Sequence, residues 1–257
     1  MIDIHSHILY GLDDGSKSPE ESVAMLQMAA GSGITDIVAT PHCDLEYRFE
    51  PELIRQRVEE LTALTGGNPR IHEGCDFHLT YDNIQDAIAN PDKYTINHKN
   101  YLLVEFSDLL IFNNCSEIFG NLLHAGIRPV ITHPERNRLL QQRIDKLRQW
   151  VIEGCCLQVT AGSLLGHFGN TAKEFSLNLI KENLVHFIAS DAHDTRHRTT
   201  AMMKEAFDWV AKNYNPDYAQ CLFVENPGAA LHGRTLKPYQ ATGLLRPRKW
   251  YDLWWRS

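Results

Sequence analysis

Histidine, aspartate and glutamate recur in this chain where short apolar runs end. The first run, MIDIH, leads into His5 and His7. In a strand, side chains alternate faces with period two, so Asp3, His5 and His7 point one way and Ile2, Ile4 and Ile8 the other. Imidazoles at that spacing can chelate a divalent cation, although His-x-His alone also occurs in ordinary strands. The pattern gains weight by repetition. TDIVATPH ends in His42, RIHEGCDF in Asp76 with His78 just beyond, YLLVEF in Glu105, RPVITHPE in His133, and VHFIASDAH in Asp191 and His193. Taken singly, His42 reads as a turn residue after Pro41, Glu105 as an edge carboxylate and Asp191 as a helix cap. Six of seven runs ending this way is a different matter, because ionisable groups buried on one face repel or stay unsatisfied unless a cation joins them.

The donor types limit the ion. Imidazole and carboxylate without thiolate suit Mn, Fe or Zn in a reactive site better than a structural zinc site or an iron–sulfur cluster. The donors exceed what one ion needs, so two or three ions are expected. Such a centre polarises a phosphoryl oxygen, makes a hydroxide from bound water and neutralises a leaving oxygen, which points to phosphoester hydrolysis. Arg136 in HPERN follows His133 by three residues, and Arg198 in SDAHDTRHR follows His193 by five. A planar guanidinium grips two phosphate oxygens at once, as lysine cannot; for Arg198 the competing reading is a solvated cation at a helix start. A cysteine-dependent phosphatase would need C-x5-R. None of the six cysteines has that spacing, Cys43 with Arg48 being one residue short.

These residues need elements to position them. The strand-like runs 1–5, 35–42, 70–77, 101–106, 128–135, 155–161 and 185–193 alternate with helical patterns near 19–32, 51–65, 115–125, 138–153, 170–183 and 199–212. Ser18-Pro19-Glu20-Glu21 has the form of a helix start, and Gly33, Gly126 and Gly154 follow helical patterns as C-terminal caps do. Seven such units without a linker-like change of composition predict one α/β domain on parallel strands, a TIM-like barrel being favoured over an open doubly wound sheet. In either, the carboxyl ends of the strands share one face.

Composition sets further bounds. A hydrophobic fraction of 43% and a charged fraction of 22% are those of an ordinary globular protein, and the formal charge of -7 disfavours a nucleic-acid partner. No apolar run approaches the roughly 20 residues that span a bilayer, and the first motif begins at residue 3, which leaves no room for a leader and predicts a cytoplasmic protein. The six cysteines form no C-x-x-C pair and are expected to be reduced and mostly buried. The tail RTLKPYQATGLLRPRKWYDLWWRS is basic and carries Trp250, Trp254 and Trp255. An extension packed over the domain is expected, a partner or membrane contact being the alternative.

In this order MIDIHSH, DDG, TPH, VEF, THPERN and SDAH resemble the PHP superfamily (polymerase and histidinol phosphatase), and within it the bacterial manganese-dependent protein tyrosine phosphatases of capsule and exopolysaccharide loci, the CpsB/YwqE type. The resemblance runs from residue 1 to about residue 230, ending in LFVENPGAAL. It implies a distorted barrel of seven parallel strands as a catalytic domain over residues 1–232, with 233–257 as an extension. It also implies three metal ions, most simply Mn²⁺. His5, His7 and Asp191 would hold the first, Glu105 and His133 the second, and Asp14, His42 and His193 the third, with Arg136 and Arg198 gripping phosphate. The bridging carboxylate, usually Glu in the family, is here Asp76, one methylene shorter; His78 is expected to stand beside the site or at the surface. The implied substrate is a phosphotyrosine protein, a bacterial tyrosine kinase with a tyrosine-rich tail, hydrolysed by a metal-activated hydroxide without a phosphoenzyme. Two other readings are carried: a small-molecule phosphatase, such as one acting on histidinol phosphate in an enclosed site, and a non-catalytic scaffold, whose mark would be lost ligands.

Overall fold

The computed structural model of the chain describes residues 1–237. Among these residues nine strands, β1 (Ile2–Ser6), β2 (Asp36–Ala39), β3 (His42–Cys43), β4 (Arg70–Glu73), β5 (Asp76–His78), β6 (Tyr101–Glu105), β7 (Arg128–Thr132), β8 (Cys156–Thr160) and β9 (Phe187–Ala189), are separated by helices except between β2 and β3 and between β4 and β5. Every pairing is parallel, in two sheets ordered β1-β2-β4 and β3-β5-β6-β7-β8-β9. A single bridge, Ser6↔Ala192, brings the end of β1 against the segment after β9. Backbone bonds from His7 N to Ala192 O at 2.8 Å and from Asp191 N to His5 O at 2.9 Å support it. The buried Asp3 carboxylate accepts from Ser190 N at 3.0 Å beside them.

Two expected strands are each broken in two, because Pro41 has no N–H to give a ladder and Gly74 passes so close to β2 that a Cβ there would stand 2.7 Å from Val38 Cγ1. The first halves pair with each other from Asp36↔Arg70 to Ala39↔Glu73, and the second halves pair as His42↔Asp76 and Cys43↔Phe77 in the other sheet. The expected helix over 138–153 is likewise two helices, Arg138–Gln141 and Ile144–Glu153, the first a single turn whose start is capped by the Asn137 side chain accepting from Leu139 N and Leu140 N. Helix Tyr81–Ala89, capped by Thr80, was not expected. Pro19–Gly31 begins as its sequence predicts, with Ser18 Oγ accepting from Glu21 N.

Consecutive strand residues divide between two apolar clusters, as a period of two demands when both faces of a parallel sheet are covered. Leu102, Val104, Ile131, Leu157 and Ile188 pack against the helices. Leu103, Val130, Cys156 and Phe187 meet Ile4 and Val38 in the second cluster, together with Ile96, Ala230 and Leu231. Ile8 belongs to the first cluster, not with Ile4, because β1 shifts register after Asp3 and ends at Ser6. On the second face, polarity changes along each strand: Leu103 is followed two residues on by Glu105, Val130 by Thr132, Cys156 by Gln158, and Phe187 by Ala189 and then Asp191. The apolar half closes one end, and the carboxyl ends are left to polar chemistry.

All six cysteines are buried and unpaired. No helix among the described residues is long and apolar enough to cross a membrane. Trp250, Trp254 and Trp255 lie outside the described residues.

One histidine locks β8 to β9 in its neutral form. His186 Nδ1 accepts from Leu157 N at 3.1 Å, and His186 N donates back to Leu157 O at 2.9 Å. Burial lowers the His186 pKa to about 4, below the ordinary value of about 6.5 that the unfolded chain retains. The unfolded state therefore takes up the proton first, so stability contributed by His186 is full above pH ~6.5 and declines as pH falls toward 4. Urea unfolding at pH 7 and pH 5 is expected to show a larger acid loss for the wild type than for His186→Gln; equal losses would remove His186 from the acid response.

Candidate metal centre

The carboxyl ends of the strands bring nine sequence-selected residues to one place. On β1, His5 Nδ1 donates to Gln158 Oε1 at 2.8 Å, and just beyond it His7 Nδ1 donates to Asp13 Oδ2 at 2.7 Å. Both bonds leave Nε2 to face inward, where the two Nε2 atoms lie 3.2 Å apart. Around them stand Asp76 Oδ2, 3.5 Å from His5 Nε2, and Asp191 Oδ1, 3.5 Å from His5 Nε2 and 3.4 Å from His7 Nε2. Two nitrogens and two carboxylate oxygens thus surround a first position.

Strand register builds the second. Pairing of β3 with β5 sets His42 beside Asp76, and pairing of β5 with β6 sets His78 beside Glu105. His42 Nδ1 is 3.2 Å from Asp76 Oδ2 and 3.3 Å from Glu105 Oε2, while His133 Nε2 is 3.3 Å from Glu105 Oε1. Asp76 stands between the first and second positions. At the third, Asp14 Oδ1 lies 3.4 Å from His42 Nε2 and 3.3 Å from His193 Nε2. Side-chain donors of His7, Asp14, His42 and His193 fall within 4.8 Å of one another, as do those of His5, His7 and Asp76, and of His42, Asp76 and Glu105. Arg136 and Arg198 both reach Asp191 Oδ2, the latter at 2.6 Å.

The backbone is bent to this end. His133 and Asp191 have φ of 31° and 51°, a left-handed conformation that side chains adopt at a cost and that clusters at functional sites. Gly15 lets the loop after β1 fold back: a Cβ there would stand 2.2 Å from His7 O.

Burial works against every charge in the cluster, and neighbours overcome it. Burial pushes the Asp191 and Glu105 carboxyls up, but His5, Arg136 and Arg198 hold the first, and His133, His42 and His78 the second, well below the carboxylate range. Asp76 is lowered in the same way by His5 and His42 against burial and Glu105. Burial would depress His5, yet Asp76 and Asp191 raise it to about 9; His42 is raised by Asp14, Asp76 and Glu105. Burial and His7 take His193 down to about 4. Ionised carboxylates thus draw protons onto His5 and His42 at the place a cation would take, while His193 stays neutral.

Divalent cations fit this arrangement on one further observation. Both oxygens of Asp76, which is 0% exposed, as well as His42 Nδ1 and His193 Nε2, are buried without a hydrogen-bond partner. A bare buried carboxylate is costly unless a cation meets it, and nitrogen and oxygen donors without thiolate suit Mn²⁺, Fe²⁺ or Zn²⁺.

Two neighbours escape a reading of ligand types alone, and a third, His78, stands beside the site as expected. Gln158 and Asp13 orient His5 and His7 through the ring nitrogen that faces away; the only signals in the sequence are that Gln158 is the sole amide in the apolar run CCLQVTA and Asp13 the first carboxylate of DDG, and neither says what the residue touches. His78 bonds Glu105 Oε2 through Nε2.

The chain is similar to known proteins over most of its length. The family described as Capsular polysaccharide synthesis, CpsB/CapC, matches residues 1–232. The chain is 35% identical to the putative tyrosine-protein phosphatase CapC of Staphylococcus aureus, over 98% of this chain and 100% of that protein. It is 34% identical to the tyrosine-protein phosphatase YwqE of Bacillus subtilis, over 92% and 93%. A solved structure from work on YwqE and on CpsB from Streptococcus pneumoniae, described as unique metal-dependent tyrosine phosphatases, superposes with a TM-score of 0.86 at 32% identity, covering 96% of this chain and all of that one. A lactonase from Listeria monocytogenes, 14% identical with a TM-score of 0.56, shares the fold.

Asp76→Ala removes the carboxylate common to the first two positions and is expected to lower bound divalent metal per chain, measured by elemental analysis after dialysis against Mn²⁺. Full wild-type stoichiometry in that variant would exclude Asp76 as a bridge.

Proposed function

The chain belongs to the CpsB/CapC family of capsular polysaccharide synthesis, and from that premise we propose that it is a metal-dependent phosphatase hydrolysing phosphotyrosine in proteins. The observation that carries the reading is Asp76, a fully buried carboxylate without hydrogen bonds, set between His5 and His42 and within a cluster of imidazoles and carboxylates. We assign His5, His7, Asp76 and Asp191 to one Mn²⁺, Asp76, Glu105 and His133 to a second, and Asp14, His42 and His193 to a third. Ions bound there supply Lewis-acid polarisation of the phosphoryl oxygens and acidify an attacking water.

The chain's own residues bind and orient. Arg136 and Arg198 share one oxygen of Asp191, which fixes both guanidinium groups at the rim, and Arg198 Nε is buried without a partner, keeping an N–H to give. Two planar cations so placed hold a phosphate and neutralise the charge that spreads over its equatorial oxygens as the ester bond breaks. Tyrosinate, the conjugate base of a group with pKa about 10, leaves with less help from an acid than an alkoxide does. No cysteine takes part, all six being buried and outside the cluster, and no phosphoenzyme is needed.

The mouth favours a protein substrate over an enclosed metabolite. Asp14 is half-exposed and Arg136, Arg198 and His78 are each about a quarter exposed, so a tyrosine on a polypeptide can approach from solvent. We propose a bacterial tyrosine kinase with a tyrosine-rich tail as the substrate, in control of capsule or exopolysaccharide synthesis in the cytoplasm. The catalytic domain we propose spans 1–232, with 233–257 as an extension.

Metal-stripped protein, assayed with and without added Mn²⁺, is expected to hydrolyse a phosphotyrosine peptide only with metal and to prefer it strongly to histidinol phosphate. The reverse preference would keep the metal chemistry and overturn the substrate, and inactivity on both with metal bound would favour a scaffold. Arg136→Ala is expected to keep its metal while losing roughly 100-fold in kcat/KM, the scale of one preorganised oxyanion donor; unchanged kinetics would remove Arg136 from the site.

A further inference from the structure

The rim of the centre is not symmetrical. Arg136 and Arg198 stand over Asp191, whereas on the Glu105 side the wall falls away into an open groove of about 530 Å³ between the turn after β3 and the loop after β6. His78 forms its inner end while bonded to Glu105, and Asp44 in its wall offers a carboxylate oxygen within 4.8 Å of donors from His42 and His78. The groove is therefore continuous with the cluster. Leu45, Leu79, Phe106, Leu110 and Phe112 supply its apolar surface. Leu45 is 96% and Leu110 58% exposed, and the adjoining Leu109 is 91% exposed. Single exposed leucines are ordinary, but several on one groove mark a contact surface. Asp44 and Glu46 are its acidic groups, and no lysine or arginine lines it.

Resting on the phosphotyrosine reading above, we infer that this groove binds the residues flanking the phosphotyrosine of the substrate protein and selects an apolar side chain together with a lysine or arginine. The apolar surface removes an aliphatic or aromatic side chain from water. The two carboxylates complement a cation beside it and repel the phosphates of a lipid headgroup or a nucleic acid. An open groove that begins at the cluster lets an extended peptide lie along it while its phosphotyrosine reaches the centre.

The test compares kcat/KM of the Mn²⁺-loaded full chain on three substrates: a phosphotyrosine peptide with leucine and lysine flanks, the same peptide with serine and glutamate in their place, and free phosphotyrosine. The wild type is expected to favour the first peptide over the second by about tenfold or more, the scale of one leucine side chain withdrawn from water. Leu45→Ser combined with Leu110→Ser changes two exposed side chains outside the reactive cluster, and is expected to lose most of that preference with free phosphotyrosine turned over as before. Equal use of both peptides by the wild type, or a preference that survives in the double variant, overturns the inference. A change of oligomeric state in the double variant by sedimentation, with peptide preference intact, would give the groove to a second copy of the chain and overturn it as well. Failure to hydrolyse even free phosphotyrosine would instead bring down the functional reading, and this inference with it.

Discussion

Two carboxylates deep at one end of the strands, Asp76 and Asp191, are the constraint around which this molecule is organised. Each is closed off from solvent, and an ionised carboxylate in that position costs several kcal/mol unless positive charge and hydrogen bonds meet it. Four imidazoles and two guanidinium groups converge on them from β1, from the segment after β9 and from segments between. The same constraint explains why the strand face that holds Leu103, Val130, Cys156 and Phe187 turns polar within two to four residues: the apolar half supplies burial, and the polar half spends it on holding like charges together.

The cluster of imidazoles and carboxylates was legible because its signal is redundant. A histidine after a proline means little, but His42, Glu105, His133 and Asp191 each close an apolar run, and repetition at strand ends reports a shared face. Fold class was legible for the same reason, since a parallel sheet covered on both sides reads as near-continuous apolar segments. What the pattern did not carry was the division of two strands. Pro41 and Gly74 were visible, yet their effect depends on how closely β2 and β4 approach, a tertiary distance. Gln158 and Asp13 were hidden for a related reason. A residue that orients a ligand is recognised by the atom it touches, and Gln158 lies 153 residues from His5.

The broken strands help to place the candidate site. With β3 and β5 offset from β2 and β4, only two residues pair between them, and those two pairings set His42 against Asp76 and bury Cys43 beside Phe77. Because side chains alternate, a slip of one residue by either strand would turn its own member of the His42–Asp76 pair away from the centre. The His42 ring presents one nitrogen to Asp76 and Glu105 and the other to Asp14. A ring used on both sides ties neighbouring positions together, so loss of charge at one is felt at the next.

The seam between β1 and the segment after β9 has a bearing on how the protein comes into being. Asp3 waits for Ser190, and His7 for Ala192, across more than 180 residues of chain. During synthesis at about 5–20 residues per second, the amino-terminal histidines emerge well before the aspartate that will face them, and contacts of such separation form late because loop closure comes first. The nascent chain thus carries His5 and His7 before their facing carboxylate exists, and a product stopped short of residue 190 would hold most of the strands yet lack Asp191 of the proposed first position. Ion capture at the proposed first position would then report that the chain has been made at least as far as Asp191.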